Sequence, residues 1–138
     1  MSGDHELVTV LRQVGPSAAV RWGIYLGVTR DVADAYDSAR SGSPARDEHG
    51  KVFVSACSNP SMHRRVQEAT ARWLRRLPVN IGTGLRERLE AAEADLDLAG
   101  MPRHLPTKQQ AEVMLGYHSG RRSTATPTPP PGRGRGSG

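Results

Sequence analysis

Between Pro60 and Gly100 apolar residues recur at helical spacing in two successive runs, and this pattern constrains the chain more than any other feature. Met62, Val66, Ala69, Trp73, Leu74 and Leu77 form one stripe, and Leu85, Leu89, Ala92, Leu96 and Ala99 form a second. Asn59 followed by Pro60 is a helix-start signal, because proline at the first helical position lacks an N–H that would have gone unbonded anyway. Pro78 stops the first helix, Thr83 is a cap for the second, and Gly100 ends it. The short linker 78–82 then predicts an antiparallel helical hairpin over 60–99 with Trp73 inside it. Arg65, Arg72 and Arg76 edge one stripe and Glu90, Glu93 and Asp97 the other, so the hairpin is expected to set these rows against each other.

The rest of the chain gives weaker patterns. Leu7, Val10, Leu11 and Val14 recur at helical spacing after Asp4, and Gly15-Pro16 ends that run. Residues 18–28 read two ways. Val20, Trp22, Ile24, Leu26 and Val28 alternate as a half-buried strand would, and a helix ending at Leu26-Gly27 fits equally. From Thr29 a helix carries Val32, Ala35, Tyr36 and Ala39 and ends near Gly42, and Lys51–Cys57 reads as a short strand. Thr107-Lys108-Gln109-Gln110 has the form of a capping box and opens a terminal helix over 107–118. The expected fold is therefore mainly α with a minor β element, in one domain over 1–118. Pro127–Pro131 and Arg133–Gly136 cannot build a core, so 119–138 is expected to be a disordered Pro/Arg/Gly tail.

Composition narrows the function classes. Only 36% of the 138 residues are hydrophobic and 4% aromatic, so the core must rest on Leu, Val and Ala and is too small for a deep enzyme cleft. No catalytic residue, cofactor or metal is expected, and a homodimer would bury more surface. The net charge of +5 invites a nucleic-acid partner, but Arg121, Arg122, Arg133 and Arg135 lie in the tail; without those four the charge is +1. They are candidates for non-specific phosphate contacts. Cys57 is the only cysteine, which fits a reducing compartment. No signal-peptide pattern opens the chain and no apolar run is long enough to span a bilayer, so a cytoplasmic protein without a membrane partner is expected.

Gly23-Ile24-Tyr25-Leu26-Gly27-Val28-Thr29-Arg30-Asp31-Val32-Ala33 resembles the centre of a helix-turn-helix. It has a small residue at the helix crossing, a glycine at the turn and an apolar residue after it. Arg46–Val54 resembles the tip and return strand of a wing, and the two helices after it resemble the dimerising helices of MarR-type winged-helix regulators. The resemblance covers residues 5–98, with the helix-turn-helix and wing within 4–57. It implies a small DNA-binding regulatory or accessory protein with a role in transcription regulation, in which Thr29, Arg30 and Ala33 lie nearest the bases and Arg46 and Lys51 at phosphates. The alternative is a protein-interaction adaptor using the charged hairpin. It draws support from Asp31, Asp34 and Asp37, which the expected recognition helix exposes on its outer face, where carboxylates repel phosphates.

Other groupings have simpler readings. Pro106–Tyr117 resembles the first helix of a helix-turn-helix but reads better as a capped terminal helix. Arg64, Arg65, Arg72, Arg75 and Arg76 with Trp73 suggest a nucleic-acid surface, although Trp73 belongs to the apolar stripe. Asn80–Gly84 could offer backbone N–H groups to a phosphate but lacks the lysine of a P-loop. Cys57 and His63 suit a nucleophile pair only if they meet in space, and the five histidines have no ligand spacing around Cys57. Residues 24–54 resemble part of an ADP-ribosyltransferase fold, without a downstream catalytic glutamate motif.

Overall fold

The computed structural model describes residues 17–39 and 45–121. Five helices make up this part: α1 (Ala18–Ala39), α2 (Ala45–Ala56), α3 (His63–Leu74), α4 (Val79–Ala94) and α5 (Thr107–Gly120), with a single 3-10 turn at Pro60–Met62 before α3. The mainly α expectation holds. No strand occurs among the described residues, so the minor β element is not seen. The helix expected over 4–14 and the tail beyond Arg121 lie outside the described residues.

The two readings of residues 18–28 resolve into a third arrangement. They form the first half of a continuous helix of 22 residues that runs straight through Gly27. α1 is the hub of the fold, and α2, α3, α4 and α5 all pack on it. Trp22, Tyr25, Leu26, Val32 and Ala33 are fully enclosed, and Ala19, Val28 and Tyr36 nearly so. A helix covered on every side has no polar face, so its sequence loses the 3.6-residue period and can mimic alternation. The helix-turn-helix does not form, because its turn is the middle of this helix.

The expected wing is likewise α2. Asp37 supplies its missing N-cap from a distance, accepting the Ala45 and Arg46 amide N–H groups at 3.0 and 2.9 Å. Asp47 and Glu48 in the first turn suit the positive end of the helix. This capping outweighs the strand preference of Val52-Phe53-Val54, and Cys57 N–H closes the last turn on Phe53 O at 2.9 Å.

The hairpin forms with changed details. α3 starts after Asn59-Pro60 as expected, though Asn59 turns its amide back to Ser55 O instead of capping. α4 starts at Val79 rather than Thr83, whose hydroxyl donates to Val79 O inside the helix. The start of α3 meets the end of α4, since His63 bonds Glu93, so the two run antiparallel. Trp73 is buried with Leu74, Leu77 and Leu85 against Val32, Ala33 and Tyr36 of α1. The expected rows do not face each other. Arg72 binds Glu48 of α2 at 2.6 Å and Arg76 reaches the Tyr36 hydroxyl at 3.5 Å.

α5 crosses α1 through a seam of four glycines. A Cβ on Gly23 would overlap Val113 O, and one on Gly116 would overlap Val20 O. Farther along, Gly27 sits against Tyr117 O and Gly120 against Ile24 O in the same reciprocal way. Only glycine allows two helix backbones so close. The fold also runs past His118. Arg121 forms ion pairs with Asp31 and Asp34 and stacks over Tyr117, so it belongs to the fold rather than to a tail.

Candidate functional site

The residues expected to touch DNA are scattered by the straight α1. Thr29 is fully enclosed, its hydroxyl donating to Leu26 O at 2.7 Å, and Ala33 is fully enclosed beside it. Neither offers a surface to a base. Arg30 is held by Asp34 one turn on at 3.1 Å. Arg46 is exposed at the start of α2 and bridges Asp34 and Asp37. Lys51 is exposed on α2. Arg121 is bound within the fold, and Arg122, Arg133 and Arg135 lie outside the described residues.

The three aspartates of α1 do not form an outward acidic face. Asp31 is 1% exposed and accepts from Arg88 Nη2 at 2.7 Å, while the same nitrogen also donates to Gly120 O. Asp34 holds Arg30, Arg46 and Arg121, and Asp37 caps α2. Each charge is neutralised by an arginine from another turn or helix, as partly buried carboxylates require. These bonds tie α1, α2, α4 and α5 together.

Two buried polar groups deepen the core. The Thr29 hydroxyl hydrogen goes to Leu26 O, so His49 Nε2–H donates to Thr29 Oγ1 across 2.8 Å. Burial first, and then the charge of Arg30, lower the His49 pKa to about 4. The neutral ring is thus the folded form. Because the folded pKa lies below the unfolded value of 6.5, this stabilisation is full above that value and is lost as pH falls toward 4. The expected loss is about 3 kcal/mol across that window. Urea unfolding at pH 7 and pH 4.5 should show a difference in the native chain that is much reduced in His49→Asn; equal differences would refute the assignment.

Tyr25 is the second. Its ring packs on Trp22 and His63 at centroid distances of 5.7 and 5.3 Å, and burial, reinforced by the negative charge of Glu93, raises its pKa far above the usual phenol value. His63 and Gln67 both direct their side chains to Glu93. His63 is therefore engaged with a carboxylate, and burial raises the Cys57 pKa, which keeps the thiol protonated. This is the opposite of an activated Cys–His pair. The N–H groups of 80–84 do not form a phosphate cradle either: those of Ile81 and Gly82 bond Pro78 O in the first turn of α4. Among the described residues no cluster of His, Cys, Asp or Glu could hold a metal ion, and no helix is long and apolar enough to cross a membrane.

What remains outward is the arginine face of α3 and the turn after it. Trp73 on the inner side of this helix is 4% exposed, which fixes the rotation of the whole element. Arg64, Arg65, Arg75 and Arg76 are then exposed, and Arg72 is half-exposed beside them. Two acids share this surface, Glu68, 3.4 Å from Arg64, and Glu48 of α2 on Arg72. Arg72 lies over the Trp73 ring at 5.9 Å, so the ring supports an arginine and is closed to a base. Sequence spacing singles out these arginines, but only the packing decides which way they face. Comparison with family models, with curated proteins and with solved structures finds no match to this chain.

Proposed function

We propose that this protein is an accessory nucleic-acid-binding protein that grips the phosphate backbone through the outward arginines of α3 and reads no bases. The observation that carries this reading is the group Arg64, Arg65, Arg72, Arg75 and Arg76 on one short, rigid stretch, facing solvent, in which Glu68 pairs with Arg64 and Glu48 of α2 with Arg72. Guanidinium groups on a fixed helix match phosphate oxygens without paying much ordering entropy. The burial of Trp73 removes the one ring that could have stacked on a base, so contacts are confined to the backbone. The carboxylates of Asp31, Asp34 and Asp37, which favoured an adaptor, are bound by arginines within the fold and oppose a polyanion far less than an open acidic face would.

Fluorescence anisotropy with two duplexes of unrelated sequence, over a series of salt concentrations, tests this reading. The native chain should bind both duplexes alike. The triple variant Arg65→Gln/Arg75→Gln/Arg76→Gln should weaken both equally and reduce the slope of log K against log salt by about 0.9 for each phosphate it no longer neutralises. A second variant with Arg122, Arg133 and Arg135 changed to Gln isolates the C-terminal arginines. If only that second variant loses affinity, α3 is not the binding surface.

A further inference from the structure

Between α1, α4 and α5 lies a pocket of about 280 Å³, to which neither α3 nor the turn after it contributes a residue. Small-molecule sites begin at about 300 Å³, so this space suits a small ligand. Part of its lining is apolar. Ile24 and Val28 stand one turn apart on α1, and Ala91 and Ala92 come from α4. The short alanine side chains keep the space between the helices open.

The two charged residues of the pocket, Arg88 and Asp95, are two turns apart on α4, about 10 Å along its axis. No ion pair joins them. Arg88 is anchored through a single nitrogen: its Nη2 donates to Asp31 Oδ2 and to Gly120 O, each at 2.7 Å. Nε and Nη1 are left without a partner among the described residues. Asp31 does not exhaust the charge of Arg88 either, because the same carboxylate also pairs with Arg121 Nε at 3.9 Å. The fold therefore holds this guanidinium in place with donors to spare, which lowers the ordering cost of receiving a carboxylate. Asp95 is exposed and its side chain has no ion pair among the described residues. It stands just past the end of α4, where the last carbonyls of the helix add partial negative charge, so a cation is favoured there.

We propose that this pocket binds a small zwitterion of the ω-amino acid type, with its carboxylate on Arg88, its apolar chain along Ile24 and Val28, and its ammonium at Asp95. A dicarboxylate sets a charge against Asp95 and a diamine sets one against Arg88, so both are rejected. The inference stands apart from the nucleic-acid reading, since the pocket shares no residue with the arginine face of α3.

Calorimetric titration of the full chain with ε-aminocaproate, hexanoate and hexylamine tests it. ε-Aminocaproate should bind with a Kd of about 1 mM or below, and each singly charged analogue at least about tenfold more weakly. Asp95→Asn should erase the advantage over hexanoate, and Asp95→Lys should prefer adipate to ε-aminocaproate. Neither change removes a bond within the described fold, so neither should lower the urea midpoint. Ala91→Phe, at an exposed position of the lining, should block all three ligands. Amide shifts on titration should centre on residues 24–28, 88–95 and 119–120. The inference is overturned by a lack of saturation with ε-aminocaproate at about 10 mM, or by equal binding of hexanoate to the native chain. It is overturned too by an unchanged preference in Asp95→Asn, or by shifts centred on another surface.

Discussion

Gly116→Val is expected to unfold the protein or to cost about 4 kcal/mol or more, which is beyond the usual range of a single substitution. The reason is the identity of the atom that a side chain would meet. A Cβ on Gly116 overlaps the backbone carbonyl of Val20 and lies 2.8 Å from Ile24 N, and backbone cannot swing aside as a flexible side chain can. The only relief is to separate α5 from α1, which uncovers Val113 and Tyr117 on one side and Trp22 on the other. Gly23→Val should behave alike, because its Cβ overlaps Val113 O. Gly84→Ala is the control: it lies in α4 with nothing within 4 Å, and should stabilise by about 0.5–1 kcal/mol through the lower entropy of the unfolded chain. Urea unfolding midpoints would decide. A tolerated valine at 116 would mean that the helices do not cross at the glycine seam.

Trp22→Ala is expected to cost ~3–5 kcal/mol, the range for removing a large buried aromatic. Trp22 is fully enclosed, stacks on Tyr25, and donates from Nε1 to Ala56 O at 2.7 Å. It thus joins α1 to the end of α2 by packing and by a hydrogen bond. Trp22→Phe separates the two effects. It keeps most of the ring and loses only the donor, while Ala56 O retains the Asn59 N–H at 3.2 Å. The phenylalanine variant should therefore lose ~0.5–1.5 kcal/mol for the bond, plus a smaller packing term. Equal losses in the two variants would show that the hydrogen bond, and not the packing, dominates.

The hairpin is legible in the sequence because α3 and α4 each bury one side and leave the other in water. That is the condition under which an apolar stripe appears. Trp73 inside and arginines outside follow from the same stripe. α1 is not legible, because Trp22, Tyr25, Leu26 and Thr29 point to different neighbours and are all enclosed. α2 is hidden for another reason: its cap is Asp37, eight residues before Ala45 in the sequence, so no local signal at Ser43-Pro44 reveals it. The candidate site divides the same way. The arginines of α3 can be read from local spacing, whereas Thr29 and Ala33 are assigned to DNA by a turn that Gly27 does not make. Gly23 and Gly27 stand out in the sequence, but their purpose depends on Gly116 and Gly120, far along the chain.

That distance in sequence has a consequence for how the chain is made. During synthesis α1 emerges first of the five helices, and its closest partner emerges only after α2, α3 and α4. Until residues 107–120 leave the ribosome, the face of α1 that carries Gly23, Ile24 and Gly27 has no backbone to lie against. The hub helix must wait while three further helices are made with an apolar side uncovered, a state open to self-association and to capture by holding chaperones. Assembly of the core is therefore deferred to the release of α5, and a ribosome that stalls before Gly116 leaves a product unable to finish folding.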